Sequence, residues 1–343
     1  MKDDRPTSFD IAYRAGVSQS TVSRALRNSP LVNEETRQKV QQIARELNYK
    51  VDKNASSLRS QQTKTIALSL CEDQGAGSSL INPFFLSMLG SITRAAAKRG
   101  YDLLISFQQL SDDWHADYED TNRAGGIIFL GYGNYANFRE KMERLKESGT
   151  HFISWGPVFE GQPGISIGCD NFNSAYEATK ALLSDKRKAI AFIGDVSDNS
   201  PEFSERYQGF KKALAEVGIK HAAELQVAAE TSEKEGFDAI DSLLSKSITF
   251  DAVFGASDLI AIGAMRRLQE AGVIVPAQIA VMGFDDIPMA AYTHPPLTTV
   301  KQDTVLAGEL LVENLLRLIS GEELQSMQLP GELIYRGSCF LRA

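Results

Sequence analysis

The signals for two helix starts and one tight turn occur within the stretch Thr7-Ser-Phe-Asp10-Ile-Ala-Tyr-Arg-Ala-Gly16-Val-Ser18-Gln-Ser-Thr-Val-Ser-Arg24-Ala-Leu26. Thr7 with Asp10 three residues later is a capping-box variant, with Asp in place of the usual Glu or Gln. Gly16 ends the first helix, because a sharp reversal needs a residue that adopts positive φ at low cost. Ser18 then caps a second helix. The pattern predicts a helix-turn-helix, the unit that places its second helix in the major groove of DNA.

The predicted second helix carries side chains of the types that read base edges. Gln pairs with adenine and Arg with guanine through two hydrogen bonds each, and Ser is adaptable. The alternative is a helical hairpin that serves only for packing, which leaves Gln19 and Arg24 on a short exposed helix without a role. The predicted DNA-contacting residues here are Thr7, Ser18, Gln19, Ser20, Thr21, Ser23, Arg24 and Asn28.

A third helix and a small polar segment complete the N-terminal part. Asn33 with two acidic residues after it begins a helix that runs to about Leu47. The segment 53–60 is small, polar and basic with one apolar residue, and it is too short to form a helix alone in water. Leu58 is a candidate wedge for a minor-groove base step, although the segment could also be a simple linker. Tyr49 and Asn54 are also predicted to contact DNA.

Composition divides the chain into a basic front and an acidic body. The 343 residues are too many for one compact core and fit two or three domains. Net charge is −8 overall, yet residues 1–62 hold eleven Lys and Arg against seven Asp and Glu, a net of +4, which leaves −12 for the remainder. This distribution is typical of a DNA reader whose body is repelled by the duplex.

Cysteine, histidine and hydropathy patterns exclude several other classes. The three cysteines, Cys71, Cys169 and Cys339, are too scattered for a disulfide framework, which favours a reducing, cytoplasmic location. The four histidines have no metal-ligand spacing, so no metal and no cofactor are expected. The N-terminus lacks the apolar core of a signal peptide, and no apolar run reaches 18 residues, so no membrane partner is expected.

From Lys64 onward, apolar runs of four to six residues alternate with amphipathic stretches of helical period. Such alternation is the mark of parallel sheets with helices on both faces. The number of strands fits two doubly wound sheets rather than one, and ligands bind such sheets outside the carboxyl ends of the strands. The predicted strands lie at 65–70, 101–106, 126–130, 152–155, 165–168, 189–193, 224–227, 252–254 and 279–282.

Polar and aromatic residues at the predicted strand ends form a candidate ligand set. Carboxylates, amides and an Arg can bracket hydroxyl groups, and an aromatic face can carry the CH face of a sugar. The alternative for Asp170, Asp258 and Asp286 is a role as helix caps or loop braces. The predicted ligand-binding residues are Asn82, Phe84, Trp155, Asp170, Arg206, Ser257, Asp258 and Asp285.

Support for catalysis is weak. The chain has no P-loop and no nucleophile elbow. Gly131-Tyr-Gly133-Asn-Tyr-Ala136 imitates a dinucleotide fingerprint, but the acidic residue expected about twenty positions on is missing. Two rival interpretations remain. The lack of a catalytic constellation opposes an enzyme, and the lack of an export signal together with the helix-turn-helix opposes a solute-binding protein of a transport system.

The chain resembles the LacI/GalR (lactose-repressor) family of bacterial transcription regulators along essentially its whole length. The resemblance rests on the motif 10–26, on Ala256-Ser-Asp-Leu-Ile-Ala-Ile-Gly-Ala264, on Val281-Met-Gly-Phe-Asp-Asp-Ile-Pro288, on Pro295-Pro-Leu-Thr-Thr-Val-Lys-Gln302, on Asn82-Pro-Phe-Phe85 and on Glu205-Arg-Tyr-Gln-Gly-Phe210. It implies base reading by Gln19, Ser20 and Arg24, a hinge helix entering the minor groove at Ala55 and Leu58, and effector binding by Arg206 and Asp285.

The resemblance also implies a dimeric, periplasmic-binding-protein-like body of two subdomains joined by three crossovers. We therefore predict a helix-turn-helix domain at 1–50, a hinge at 51–63 and an effector-binding and dimerisation body at 64–343. The N-subdomain covers about 64–166 plus 301–324, and the C-subdomain about 167–300 plus 325–343. The predicted function is that of a non-enzymatic transcriptional regulator, a repressor or alternatively an activator. As a homodimer it binds near-palindromic double-stranded operator DNA and is controlled by a sugar or sugar-like effector.

Overall fold

The computed structural model describes residues 6–49, 63–70, 82–107, 116–131 and 135–339. The chain divides into two compact units, Met1–Thr63 and Lys64–Ala343, each described below by itself. We call the first unit the head and the second the body.

The head contains α1 (Ser8–Ala15), α2 (Gln19–Leu26) and α3 (Glu34–Glu46). The backbone N–H of Thr7 donates to Asp10 Oδ2 at 2.7 Å, which confirms the predicted capping box. Gly16 ends α1 with φ at 70°, as the turn requires. Ser18 Oγ accepts the N–H of Thr21 at 3.2 Å and caps α2, as predicted.

A small apolar core holds the three helices of the head together. Its buried members are Ile11, Ala12, Ala15, Val22, Ala25, Val32, Val40 and Ala44. Partly buried side chains surround them, namely Val17, Leu26, Ile43, Leu47 and Tyr49. The apolar side of α2 therefore faces inward, and its polar side, including Arg24, remains exposed.

Two six-stranded sheets form the body, as the strand count predicts. The first sheet has the order β11-β5-β4-β3-β1-β2 and is parallel, with β1 Thr65–Leu70, β2 Asp102–Phe107, β3 Ile127–Leu130, β4 Phe152–Trp155, β5 Ile165–Cys169 and β11 Met327–Leu329. The second has the order β12-β10-β9-β8-β6-β7, with β6 Ile190–Ile193, β7 Gln226–Val227, β8 Ala252–Gly255, β9 Ala280–Asp285, β10 Thr298–Lys301 and β12 Glu332–Ile334. Only β12 is antiparallel to its neighbour among these strands.

Helices flank both sheets, and the central strands are buried along their length, which explains their continuous apolar runs. The helices of the body are α4 Pro83–Lys98, α5 Tyr135–Glu147, α6 Asn171–Ser184, α7 Pro201–Glu216, α8 Glu233–Ser245, α9 Asp258–Glu270 and α10 Thr304–Ile319. Short helical turns at Ala116–Asp120, Ala223–Leu225 and Pro288–Ala291 add to these.

The chain passes between the sheets three times, after β5, after β10 and after β11. The subdomain boundaries predicted at 166/167 and 324/325 need correction. Strand β5 continues in the first sheet to Cys169, and β11 pairs with it, with Met327 opposite Ile167. The predicted strand at 224–227 also shortens to Gln226–Val227, because residues 223–225 form a 3₁₀ turn.

Candidate functional site

The polar side of α2 in the head carries exposed and half-buried side chains. Ser20 and Arg24 are exposed, and the hydroxyl group of Ser20 is hydrogen-bonded to that of Ser18 at 2.8 Å. Gln19 is half-buried, and its Nε2 donates to Ser8 Oγ at 2.7 Å, which fixes the side chain against α1. Ser23 and Thr21 are also half-buried. The structure thus presents one cationic and several hydroxyl or amide groups on a single helix face.

Four of the predicted DNA-contacting residues also hold the head together. Thr7 and Ser18 cap helices, as described above. Asn28 adopts positive φ at 55°, and its Oδ1 accepts a hydrogen bond from Gln41 Nε2 at 2.7 Å. Tyr49 packs against the head core. The remaining predicted contacts, Asn54, Ala55 and Leu58, lie outside the described residues.

Arg206 lies at the centre of the polar group in the body, and only 4% of its surface is exposed. It projects from the second turn of α7, where its Nε donates to Asn171 Oδ1 at 2.8 Å. Its Nη1 donates to the carbonyl oxygen of Ala256. The guanidinium carbon lies 3.7 Å from the ring centre of Phe284, so the group is stacked as well as hydrogen-bonded.

Asp285 is the ionic partner of Arg206, with Oδ1 3.8 Å from Arg206 Nη1. The same oxygen accepts a hydrogen bond from Gln302 Nε2 at 2.7 Å. Burial raises the pKa of Asp285, although Arg206 and Gln302 both oppose that rise. Its φ is 121°, a left-handed value that costs a non-glycine residue about 1–3 kcal/mol. A strained, buried carboxylate beside an arginine is typical of functional sites.

Several predicted ligand residues have structural partners in the body. Asp258 is fully buried, and its carboxylate accepts hydrogen bonds from Ile287 N at 2.8 Å and from Thr299 Oγ1. Burial, reinforced by the charge of Asp285, raises the pKa of Asp258 well above its usual value. Asp258 is therefore a brace beneath the site, the alternative role that the sequence left open. Ser257 caps α9 through the N–H of Ile260 at 3.4 Å.

Asp170 and Asp286 also act as a cap and a brace. Asp170 caps α6 by accepting the N–H of Asn173 at 3.1 Å. Asp286 forms an ion pair with Arg336 at 2.6 Å, so the two adjacent carboxylates, Asp285 and Asp286, have different partners. This separation opposes a role for the pair as catalytic acid and base.

The three predicted residues of the first sheet form a second group. Phe84 begins α4 and Trp155 ends β4, with their ring centres 6.1 Å apart. Asn82 caps α4, because its Oδ1 accepts the N–H of Phe84 at 3.0 Å. Tyr135, at the start of α5, has a raised pKa, mainly because it is partly buried and secondarily because of the charge of Glu202 on α7.

Three polar residues around Arg206 and Asp285 were not among the predicted ligand residues: Asn171, Glu205 and Gln302. Asn171 Nδ2 donates to the carbonyl of Cys169 at 3.1 Å and to Glu205 Oε2 at 3.5 Å. Burial raises the pKa of Glu205 to about 7. Gln302 follows β10, a strand that was missing from the predicted strands, so its place in the site could not be inferred. Glu205 could have been proposed from the sequence, because it directly precedes Arg206.

The arrangement suits reversible binding of a hydroxyl-rich molecule. Carboxylates, an amide and a guanidinium converge at the carboxyl ends of the second sheet, and two aromatic rings lie at those of the first. Among the described residues, no group of three or more His, Cys, Asp or Glu is arranged to hold a metal ion. Within the same residues, no helix is both long and apolar enough to cross a membrane.

A helix-turn-helix head, joined in sequence to a body of two mainly parallel sheets with buried polar residues at their carboxyl ends, is typical of DNA-binding regulators that have a ligand-binding body. The family model described as bacterial regulatory proteins, lacI family, matches residues 9–52, and that of the periplasmic binding protein-like domain matches residues 179–339. The chain belongs to the LacI family of bacterial regulatory proteins.

Relatives match the chain over nearly its whole length. The HTH-type transcriptional regulator MalR of Clostridium butyricum is 32% identical over 96% of this chain and 98% of its own. The ribose operon repressor of Escherichia coli (strain K12) is 31% identical over 97% of this chain and 99% of its own. Membership in this family confirms the predicted fold class and the interpretation as a DNA-binding transcriptional regulator rather than an enzyme.

Solved structures give the same result. The lac repressor dimer bound to operator and the anti-inducer ONPF superposes with a TM-score of 0.85 at 26% identity, covering 98% of this chain and 99% of that chain. The complex of the transcriptional regulator CelR with cellobiose has a TM-score of 0.72 at 28% identity, covering 97% and 100%.

Proposed function

We propose that this protein is a repressor whose affinity for operator DNA is controlled by a small sugar held between the two sheets of the body. The observation that carries this proposal is the Arg206–Asp285 pair, a buried and strained ionic centre at the carboxyl ends of a parallel sheet. The names of similar proteins support this proposal. One relative is a ribose operon repressor, and one similar solved structure is a complex of the regulator CelR with cellobiose.

In this proposal, the head reads DNA through α2. Arg24 and Ser20 are exposed on the polar side of the helix, and Gln19 is fixed beside them by Ser8. Arg pairs with guanine, Gln pairs with adenine and Ser serves either, so this face can distinguish base pairs in a major groove. The lac repressor neighbour is a dimer on its operator, and a two-fold dimer requires a near-palindromic site. Binding to the genome implies a cytoplasmic location.

The ligand interacts with both groups of side chains. Arg206 and Asp285 bracket hydroxyl groups, whereas Phe84 and Trp155 offer aromatic surface to the CH face of a sugar ring. Binding shifts the subdomains only to the extent that the ligand prefers one arrangement over the other. The changed spacing of the two heads in the dimer then alters the affinity for operator.

The test removes Arg206 from the ionic centre and measures sugar binding and operator binding separately. Arg206→Ala removes the stacked guanidinium and leaves Asp285 buried without its partner, so the response to sugars is expected to disappear. Binding to an operator selected from random duplexes is expected to remain within about threefold of wild type, because the head is a separate unit. Calorimetry measures sugar binding, and fluorescence anisotropy measures operator binding.

Arg266→Ala is the matched control, because Arg266 forms an exposed helical pair with Glu270 at 3.4 Å. Arg266→Ala should bind both sugar and operator as the wild type does. Normal sugar uptake by Arg206→Ala would show that the ionic centre is not the ligand site. Failure of the wild-type protein to prefer any duplex over a scrambled one would remove the proposed function altogether.

A further inference from the structure

We infer that the ligand is a hydroxyl-rich molecule that carries no negative charge, and that the cleft discriminates against phosphorylated sugars and sugar acids. This inference rests on the proposed function and adds the charge class of the effector. It depends on how the charges around Arg206 are distributed.

The cation of Arg206 is already balanced by the protein. Asp285 lies 3.8 Å from Nη1, and the carbonyl of Ala256 and the amide oxygen of Asn171 accept its other hydrogen bonds. An arginine that is pre-paired and buried in this way offers a ligand little uncompensated positive charge. A phosphate or carboxylate ligand would have to compete with Asp285 for the same guanidinium.

Glu205 adds negative charge beside this balanced pair. Its carboxylate accepts only a long hydrogen bond, from Asn171 at 3.5 Å, and no ion pair with a Lys or Arg is observed for it in the described part of the chain. Burial is the main reason that the pKa of Glu205 lies far above that of an ordinary glutamate, and the charges of Glu202 and Asp170 raise it further. These groups make the local potential negative when Glu205 is ionised.

Within the described residues, the loops at the neighbouring strand ends contain no unpaired Lys or Arg. The described loops 156–164, 194–200 and 256–257 contain no Lys or Arg, and they include Glu160, Asp195 and Asp198. At the ends of the other strands of the second sheet, Lys301 lies 3.8 Å from Glu332, and Arg336 is paired with Asp286. An anionic ligand therefore meets an excess of carboxylates, whereas a neutral polyol donates hydroxyl hydrogens to them.

The experiment compares matched pairs of sugars at pH 8 and low salt, where Glu205 is ionised and charges are weakly screened. The probes are ribose and ribose 5-phosphate, glucose and glucose 6-phosphate, and cellobiose and cellobionic acid. We expect the sugars that bind to be neutral, and their anionic partners to bind at least about tenfold more weakly. Calorimetry with the full-length protein gives each Kd.

A charge-neutral variant tests the assignment to Glu205. Glu205→Gln should reduce the discrimination against the anionic partner about threefold or more, since it removes one negative charge while preserving shape. Glu177→Gln is the control, because Glu177 is exposed on α6 and pairs with Lys180 at 3.2 Å. This control should leave the ratio of the two Kd values unchanged.

The outcomes separate this inference from the proposed function. Binding of a phosphorylated sugar or sugar acid as tight as that of its neutral partner would overturn the inference, and it would leave a sugar-controlled regulator standing. Equal discrimination by Glu205→Gln and wild type would also overturn the role of Glu205. A lack of response to every probe in the panel would remove the sugar effector from the proposed function, and the inference with it.

Discussion

At the scale of single residues, the body concentrates buried charge in one place. Asp258, Asp285 and Arg206 are all buried, and each has a hydrogen-bond partner in the structure. Burying ions is costly unless they are paired, so such a group is weak support for stability and stronger support for function. The raised pKa of Glu205 beside this group adds a titration near neutral pH.

The first prediction concerns stability against pH. The pKa of Glu205 is raised from 4.5 to about 7, mainly by burial and further by Glu202 and Asp170, against the opposing effects of Asn171 and Arg206. The folded protein therefore binds more protons than the unfolded chain between these values, and the free energy of unfolding falls as pH rises from about 4.5 to about 7. Thermal unfolding from pH 5 to 8 should show this slope.

Glu205→Gln should reduce the dependence of the unfolding free energy on pH without abolishing it. The remaining dependence comes from Asp285 and Asp258, whose pKa values are also raised. Glu177→Gln serves as the exposed control and should behave like wild type. A slope in Glu205→Gln identical to that of wild type would contradict the assigned titration.

The second prediction concerns Arg24. The side chain is exposed on α2 and is free to reach a base edge. Arg24→Ala should weaken operator binding by about 1–3 kcal/mol and relax the preference at one base pair. Anisotropy titrations with single-base operator variants measure both effects.

Arg45→Ala is the comparison, since Arg45 pairs with Gln42 on its own helix at 2.9 Å. It should leave the sequence preference unchanged. An unaltered preference in Arg24→Ala would argue that Arg24 contacts phosphate rather than a base.

At the scale of secondary-structure elements, glycines let helices of the body pack closely. A Cβ at Gly263 on α9 would lie 1.8 Å from the carbonyl oxygen of Glu233, and one at Gly236 on α8 would lie 2.0 Å from that of Ile260. The two glycines therefore face the opposite backbone reciprocally. A third, Gly209 on α7, approaches Phe172 O in the same way, at 2.1 Å. These contacts hold α7, which carries Arg206, against α6, and they hold α9, which Ser257 caps, against α8.

The third prediction follows from that packing. Gly263→Ala must push α8 and α9 apart, because backbone atoms cannot rotate away, and it should destabilise the protein by about 1–3 kcal/mol. Thermal or urea unfolding measures the change. Gly90→Ala is the matched control in α4, where a Cβ would meet no atom within 4 Å. The control should be neutral or slightly stabilising, and equal stability of the two variants would refute the packing argument.

At the scale of the whole molecule, charge separates the two units. The head region is basic and the remainder is acidic. Phosphate contacts by the head supply affinity that falls steeply with salt, while the acidic body limits further attraction to the duplex. The ligand therefore affects DNA binding through a change in the arrangement of the subdomains and not through direct electrostatic contact with the duplex. Ligand binding and operator binding are then linked equilibria.

The fourth prediction is reciprocity. If a panel sugar changes the operator Kd by a given factor, the operator must change the sugar Kd by the same factor, typically 5–150-fold. Calorimetric titration of the sugar with and without operator measures this. A scrambled duplex is the control and should have little effect. A sugar Kd that is the same with operator, with scrambled duplex and without DNA would contradict the proposed coupling between ligand binding and operator binding.

The sequence by itself determined the local features. The capping box of Thr7 and Asp10, the turn at Gly16 and the cap at Ser18 depend on residues at most three positions apart, so their hydrogen bonds and φ values follow from residue types. The alternating body and its two sheets followed from hydrophobic periodicity for the same reason.

Only the tertiary structure decided which distant residues meet. Asp258 became a brace because Ile287 and Thr299 are folded onto it, and Glu205 and Asn171 joined the site because α6 and α7 pack side by side. The short strand β11 depends on pairing with β5, not on any pattern of its own, since only Leu329 of its three residues is buried. Sheet order and helix packing set these contacts, and neither is encoded in the spacing of neighbouring residues.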